Sequence, residues 1–260
     1  MIAPRLEPAQ FWRLSLLGAG SCIALWTVAA LSGITSRTFL PAPWEVIQRF
    51  AQLLVVPFAG HVLHEHVLAS LQRFLMGFLL AVLLGIPLGL LMARFKWVDK
   101  LVSPAFEAVR FVAPIAWVPF AALWFGTGIG GPVLIIFMGA FAPVLINTYR
   151  GARQVDRKYL EASQMLGASA WRTMTEVLLP AAMPSIVAGV RISAGLGWQS
   201  LVGAELIVAA SGVGNMMVKG QAAVSTTTVM CGMLAIGMVG LVLDVALRRV
   251  QVVIEHKRGA

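Results

Sequence analysis

The chain has 260 residues, 59% of them hydrophobic and only 12% charged, with a formal net charge of +9. A soluble domain carries about 25% charged residues, whereas here the apolar residues come in blocks that match the ~20 residues a helix needs to cross a bilayer. That excludes an ordinary soluble globular domain. No Arg/Lys tract interleaved with aromatics is present either, so the positive charge does not point to nucleic acid.

Six spans follow in chain order, at 14–34, 68–93, 102–125, 132–149, 184–209 and 229–250. Arg5 and Arg13 precede the first. No small-residue cleavage site follows it, so the segment is expected to stay in the protein. Residues 35–67 make a long loop in which Pro41 and Pro43 precede Trp44, Val46, Ile47, Phe50 and the apolar run 53–56. A proline-started amphipathic helix at the membrane interface is expected there. His61, His64, Glu65 and His66 read as a polar start to the second span rather than a metal cluster, because residue 69 is Ala and H-E-x-x-H is absent. Cys22 and Cys231 sit inside apolar spans and read as packing residues, not a disulfide.

Small residues recur four apart at Gly85/Gly89 and at Gly189/Ser193/Gly197. Such steps let membrane helices approach closely, whether around a pathway, between subunits or within the chain. In the third span Glu107 and Arg110 share a helix face and can neutralise one another. An ionisable pair at membrane depth is a functional candidate and equally a structural one. Pro87, Pro114 and Pro119 each remove a helical hydrogen bond, which makes the third span the candidate wall of a pathway. Glu205, a lone acid near the end of the fifth span, either holds the following loop at 211–215 by hydrogen bonds or faces that pathway. Asp244, just before Arg248 and Arg249, reads as part of a helix-end ion pair.

Positive charge sets the orientation. Fourteen Lys and Arg residues fall on one side: Arg5, Arg13, Arg94, Lys96, Lys100, Arg150, Arg153, Arg157, Lys158, Arg172, Arg248, Arg249, Lys257 and Arg258. Three, Arg37, Arg49 and Lys219, fall in loops on the other. The positive side is the cytoplasmic one. The expected organisation is a cytoplasmic segment at 1–13, one transmembrane region at 14–250 with a cytoplasmic loop at 150–180, and a cytoplasmic tail at 251–260.

That loop carries the most specific pattern in the chain. Glu161-Ala162-Ser163 is followed after three residues by Gly167, and after nine more by Val177-Leu178-Leu179-Pro180. Tyr159, Ala162 and Leu166 fall at helical spacing and predict a short helix with one apolar stripe. Gly167 permits a sharp turn. Ser169 can cap a second helix and Pro180 is expected to end it. Arg150, Arg153, Arg157, Lys158 and Arg172 flank this helix–turn–helix knob.

The spacing resembles the EAA loop of permease subunits in bacterial ATP-binding-cassette importers, with Ser163 in place of Ala and Val177 in place of Ile. The resemblance extends along the chain. It takes in Ser70-Leu71-Gln72-Arg73 with Gly77-Phe78 and the run 85–89. It continues through Pro114, Ala116, Pro119 and Trp124-Phe125-Gly126, then Ala188-Gly189-Val190-Arg191-Ile192, Ala204-Glu205 and Gly212-Val213-Gly214. These look like the subgroup that imports nitrate, sulfonates, taurine, bicarbonate and related solutes. The resemblance implies an all-α membrane protein of the type I importer kind, with six transmembrane helices and a cytoplasmic coupling helix. That helix would dock on an ATPase through Glu161, Ala162, Ser163, Leu166, Gly167 and Pro180. It also implies a homodimer in the bacterial inner membrane, two cytoplasmic ATPases holding ATP and Mg, and an external solute-binding protein. No cofactor, metal or catalytic residue is then expected on this chain.

A Gly-rich string at 126–131 lacks the Lys-Ser/Thr of a phosphate-binding loop. It reads as a tight turn between helices. Rival readings are a secondary transporter, which would show internal repeats and midplane acids, and a membrane scaffold or enzyme, which would need convergent catalytic groups. Neither pattern is found. The solute is not written in these residues.

Overall fold

The computed structural model describes residues 8–33 and 36–259. Arg5, Ile34, the rest of 1–7 and Ala260 lie outside the described residues, as do the side chains of Lys257 and Arg258. The described chain forms two units: one runs to Leu63 and takes in Met216–Leu234, the other spans His64–Asn215 and resumes at Ala235.

In the first unit, α1 (Pro8–Leu31) is followed by α2 (Pro43–Leu53). Pro43 starts α2 where its missing N–H costs nothing. Glu45 reaches back to accept from the Ala42 N–H at 2.9 Å. The helix buries Val46 and Leu53 and leaves Trp44 and Ile47 exposed. Trp26 donates to the Pro41 carbonyl, and Arg49 to the Thr228 hydroxyl. Cys22 is exposed and Cys231 buried, and both are free thiols.

The second unit is built on three long helices: α3 (Leu63–Arg94), α6 (Gly130–Arg153) and α9 (Leu179–Ile207). Lipid supplies no hydrophobic force between helices, so close approach by small residues does that work. A Cβ on Gly89 would meet the Thr148 side chain at 2.8 Å, and one on Gly189 would meet Asn147 at 2.5 Å. The Ser193 hydroxyl donates across to the Ala140 carbonyl at 2.6 Å. The small-residue steps therefore serve packing within the chain. Phe74 stacks on Phe78 and meets Trp198 edge-on, ring centres 5.3 and 5.4 Å apart, and these rings form a core with Ile136 and Leu201.

Two expectations need correction. The third span is not one straight helix: α4 (Lys96–Arg110) and the segment Pro114–Phe125, which ends in α5 (Val118–Phe125), meet at 91°. Ala113 lies before a proline and is extended (φ −56°, ψ 139°), which ends the first helix. Pro114 and Pro119 then open new helical turns, where no hydrogen bond is lost. Only Pro87 of the three sits inside a helix, α3. Among the described residues five continuous helices are long and apolar enough to cross a membrane, and six spans stand with the bent pair taken as one crossing.

Pro180 does not end the knob. After α7 (Arg157–Met165) and the short α8 (Ala170–Arg172), a wider π-helical stretch at Thr173–Leu178 leads straight into α9, where Pro180 occupies the first turn. Ala170–Ile207 is thus one 38-residue run, and the fifth span begins well before the expected position 184. The last elements are α10 (Val213–Ala222) and α11 (Thr226–Gly259).

Candidate functional site

The knob folds on local rules. Asp156 caps α7, its carboxylate accepting from the Lys158 backbone N–H at 3.2 Å and pairing with the Lys158 ammonium at 2.9 Å. The hydrogen bond from Lys158 holds the Asp156 carboxyl below its ordinary pKa. At the far end Ala168 N–H donates to the Ser163 carbonyl and Gly167 N–H to the Gln164 carbonyl. This pair of bonds closes a helix through a left-handed residue, and Gly167 supplies it at φ +75°. Ser169 then caps the next turn, accepting from Arg172 N–H.

Ser163 faces inward. Its hydroxyl donates to the Leu160 carbonyl at 2.8 Å and hydrogen-bonds with the Thr173 hydroxyl at 3.3 Å, tying α7 to the π-helical stretch. Glu161, Ala162, Leu166 and Gly167 are exposed. So are Tyr159, Met165 and Trp171; Met165 and Leu166 are 89% and 87% exposed. Arg153, Arg157, Lys158 and Arg172 are exposed around them. Pro180 lies apart from this surface, in the first turn of α9. A cluster of large apolar side chains exposed on a polar loop is the mark of an interaction surface, for a protein or for a membrane.

Glu205 sits in a different setting. It is 2% exposed and takes bonds from Arg73 at 2.7 Å, Ser70 at 2.7 Å and the Gly214 N–H at 3.0 Å. Arg73 also donates to the Ser211 carbonyl and hydroxyl, and His66 Nδ1 accepts from Gly212 N–H. Of the two sequence readings, this is the one in which Glu205 holds the loop. Its partners Ser70 and Arg73 lie more than 130 positions away, which is why the sequence did not pair them. Asp244 finds Arg191 of α9 at 2.9 Å rather than Arg248 or Arg249.

A cavity of about 790 Å³ opens among α4, the Pro114–Trp117 turn, α6 and α9. Phe106, Phe137, Phe141, Ile146 and Leu196 are among its apolar walls, and Pro114 lines it as well. Its polar side chains are Arg110, Gln199 and Ser200, with the Trp117 indole; no acid lines it. Arg110 is paired with Glu107 at 2.6 Å, and Glu107 is half exposed at the cavity's edge in sequence but not in its wall. Pro119 and Glu205 do not line it. The third span, read from sequence as a candidate pathway wall, contributes α4 and the bend to this cavity, while Trp117 and Gln199 went unnoticed because nothing local distinguishes them. Among the described residues no group of three His, Cys, Asp or Glu could hold a metal.

Comparison with known proteins places this geometry. Residues 85–259 match the family model described as the binding-protein-dependent transport system inner membrane component. The taurine transport system permease protein of Escherichia coli K12 is 36% identical over 87% of this chain and 82% of its own length. A putative aliphatic sulfonates transport permease protein of Bacillus subtilis 168 is 36% identical over 90% of this chain and 83% of its own. The bicarbonate transport system permease protein of Synechococcus elongatus is 32% identical, covering 89% and 85%. Among solved structures, inward-facing forms of the MetNI methionine ABC transporter match with a TM-score of 0.65 at 17% identity, covering 74% of this chain and 95% of the matched one.

Proposed function

Since the chain belongs to the family of binding-protein-dependent transport system inner membrane components, we propose that two copies of it form the pathway of an importer driven through the exposed knob at 157–180. The chain is a permease subunit of an ATP-driven importer, a multi-pass protein of the inner membrane, and ATP is hydrolysed by partner subunits. On this reading two cytoplasmic ATPases hold the ATP and Mg. An external binding protein delivers the solute, and this chain carries no cofactor. The solute class is a small anionic or organic molecule. Taurine, aliphatic sulfonates and bicarbonate, named for the relatives, share an anionic oxygen head.

One observation supports the coupling most: Met165 and Leu166 stand nearly fully exposed on a turn fixed by Gly167, at the foot of the 38-residue run into the membrane. An ATPase that closes on this surface would displace that run and so alternate the access of the pathway. Glu161, exposed on the same helix, would pair with a basic group on the partner. Glu161→Lys reverses that attraction, and Gly167→Val forces a β-branched residue to positive φ, at a cost of about 1–3 kcal/mol. Both variants should insert and yet lose copurified ATPase and solute uptake in reconstituted vesicles. Normal uptake by both would sink the coupling role. The positive charge supports a cytoplasmic side for both termini and the knob. A reporter fused after Arg157 should read as cytoplasmic, and an external reading would reverse the orientation.

A further inference from the structure

The cavity bounded by α4, the bend, α6 and α9 has an unusual balance. Its walls are aromatic and aliphatic, and the charged side chain that lines it is a cation. Arg110 brings a guanidinium and Gln199 an amide, and no Asp, Glu or Lys lines it. The Trp117 Nε1–H is buried and has no acceptor among the described residues. A buried indole N–H normally finds a partner, and leaving it without one is costly. Trp117 lines the cavity through its ring, while this nitrogen lies beneath the cavity surface.

Arg110 is only partly committed. Its Nε and Nη2 both meet the same Glu107 oxygen, at 2.6 Å each, and among the described residues Nη1 has no hydrogen-bond partner. A guanidinium presents donors in a planar fork that fits a second oxyanion side by side. Its face also lies over the Phe111 ring, 4.4 Å from the centroid, which fixes its plane.

We propose that this cavity is the subsite for the oxyanion head of a small organic anion: Arg110 and Gln199 donate to the head, and the aromatic walls, Trp117 among them, take its apolar stem. The inference rests on the importer reading above and adds the residues that meet the solute. Glu107 is the resident competitor. While the site is empty it neutralises Arg110. An arriving sulfonate or carboxylate exchanges with it, so the charge in the low-dielectric cavity is balanced in both states. Such an exchange also limits affinity, and a transport pathway must bind well enough to admit its cargo and weakly enough to release it. A bare cation in the same cavity would hold an anion too tightly to let it go.

The test uses the full permease–ATPase complex in lipid nanodiscs, with ethanesulfonate as probe and diethyl sulfone as its uncharged analogue. Binding is read by titrating tryptophan fluorescence and by ligand-observed magnetic resonance. Wild type should bind ethanesulfonate and discriminate against the sulfone. Arg110→Gln should weaken ethanesulfonate about tenfold or more, as expected for a lost charge-assisted bond. Gln199→Leu, which removes the amide donor and keeps the bulk, should weaken it several-fold. Glu107→Gln should strengthen it, because the competitor has lost its charge. A purely structural Glu107–Arg110 pair would not give that opposite sign. Equal binding of ethanesulfonate to wild type and Arg110→Gln, weaker binding to Glu107→Gln, or no binding to wild type would each overturn the subsite. ATPase copurifying with wild type separates the two readings: if it copurifies and the probe results fail, the subsite alone falls; if it does not, the importer reading falls first.

Discussion

The knob at 157–180 and the network around Glu205 use the same chemistry at opposite ends of the exposure scale. In the knob, polar groups bond to neighbours within ten positions, as Asp156 does to Lys158 and Ser163 to Thr173, while its large apolar side chains stand in the open. Around Glu205 the polar groups are buried and bond across more than 130 positions. The first arrangement is locally self-sufficient and leaves its apolar surface for a partner. The second is complete within the chain and offers little outward. The exposed surface proposed for docking and the buried staple are thus distinguished by where the unmet interactions remain.

The largest effect should come from the staple. Glu205→Ala leaves the Arg73 guanidinium buried without its counter-ion, a loss of about 3–5 kcal/mol. Folded yield in the membrane and melting temperature of the purified protein should both fall steeply. Wild-type melting of Glu205→Ala would show that the staple does not carry stability, and the contrast with the knob would dissolve. A smaller effect is expected from Ser163→Ala, which removes a half-hidden hydroxyl bond worth about 1 kcal/mol. Its signature should be faster hydrogen exchange over 160–175 with global melting unchanged; a fall in global melting would mean that the knob is not a separable unit.

The smallest effect concerns acid. The Lys158 hydrogen bond depresses the Asp156 carboxyl, so the folded state prefers it ionised. Its contribution is present above the ordinary carboxylate pKa of about 4 and is lost as pH falls through the lowered folded value. Exchange protection in the first turn of α7 should therefore fade only in acid, and Asp156→Asn should flatten that dependence. An unchanged acid profile in Asp156→Asn would remove Asp156 as the titrating group.

The same contrast explains what could be read from the residues alone. The turn at Gly167, the cap at Ser169 and the apolar stripe of α7 are local, so spacing and residue type were enough. The proline-started α2 was legible for the same reason. Glu205 was recognised as an acid in need of a partner, but the partner is decided by how α3 lies against α9, and no spacing carries that. Pro114 was read as a helix break and does mark one. The 91° turn it accompanies depends on the extended Ala113 and on packing against α6 and α9. Pro180 misled because the rule that proline ends a helix is silent on which side the helix lies; here it opens α9, after a π-helical stretch that gives the ring room.

The uninterrupted run from Ala170 to Ile207 has a mechanical consequence. At about 1.5 Å per residue, its 38 residues make a strut of roughly 57 Å with no loop along it. Load applied near the knob travels the full depth of the bilayer in compression instead of being absorbed by a joint. The widened turn at Thr173–Leu178 is its compliant element, set next to the point of loading. At the opposite end the strut finishes two residues beyond Glu205 and just before the clamped segment at 211–215, so a stroke delivered at the knob would arrive at an anchored fitting.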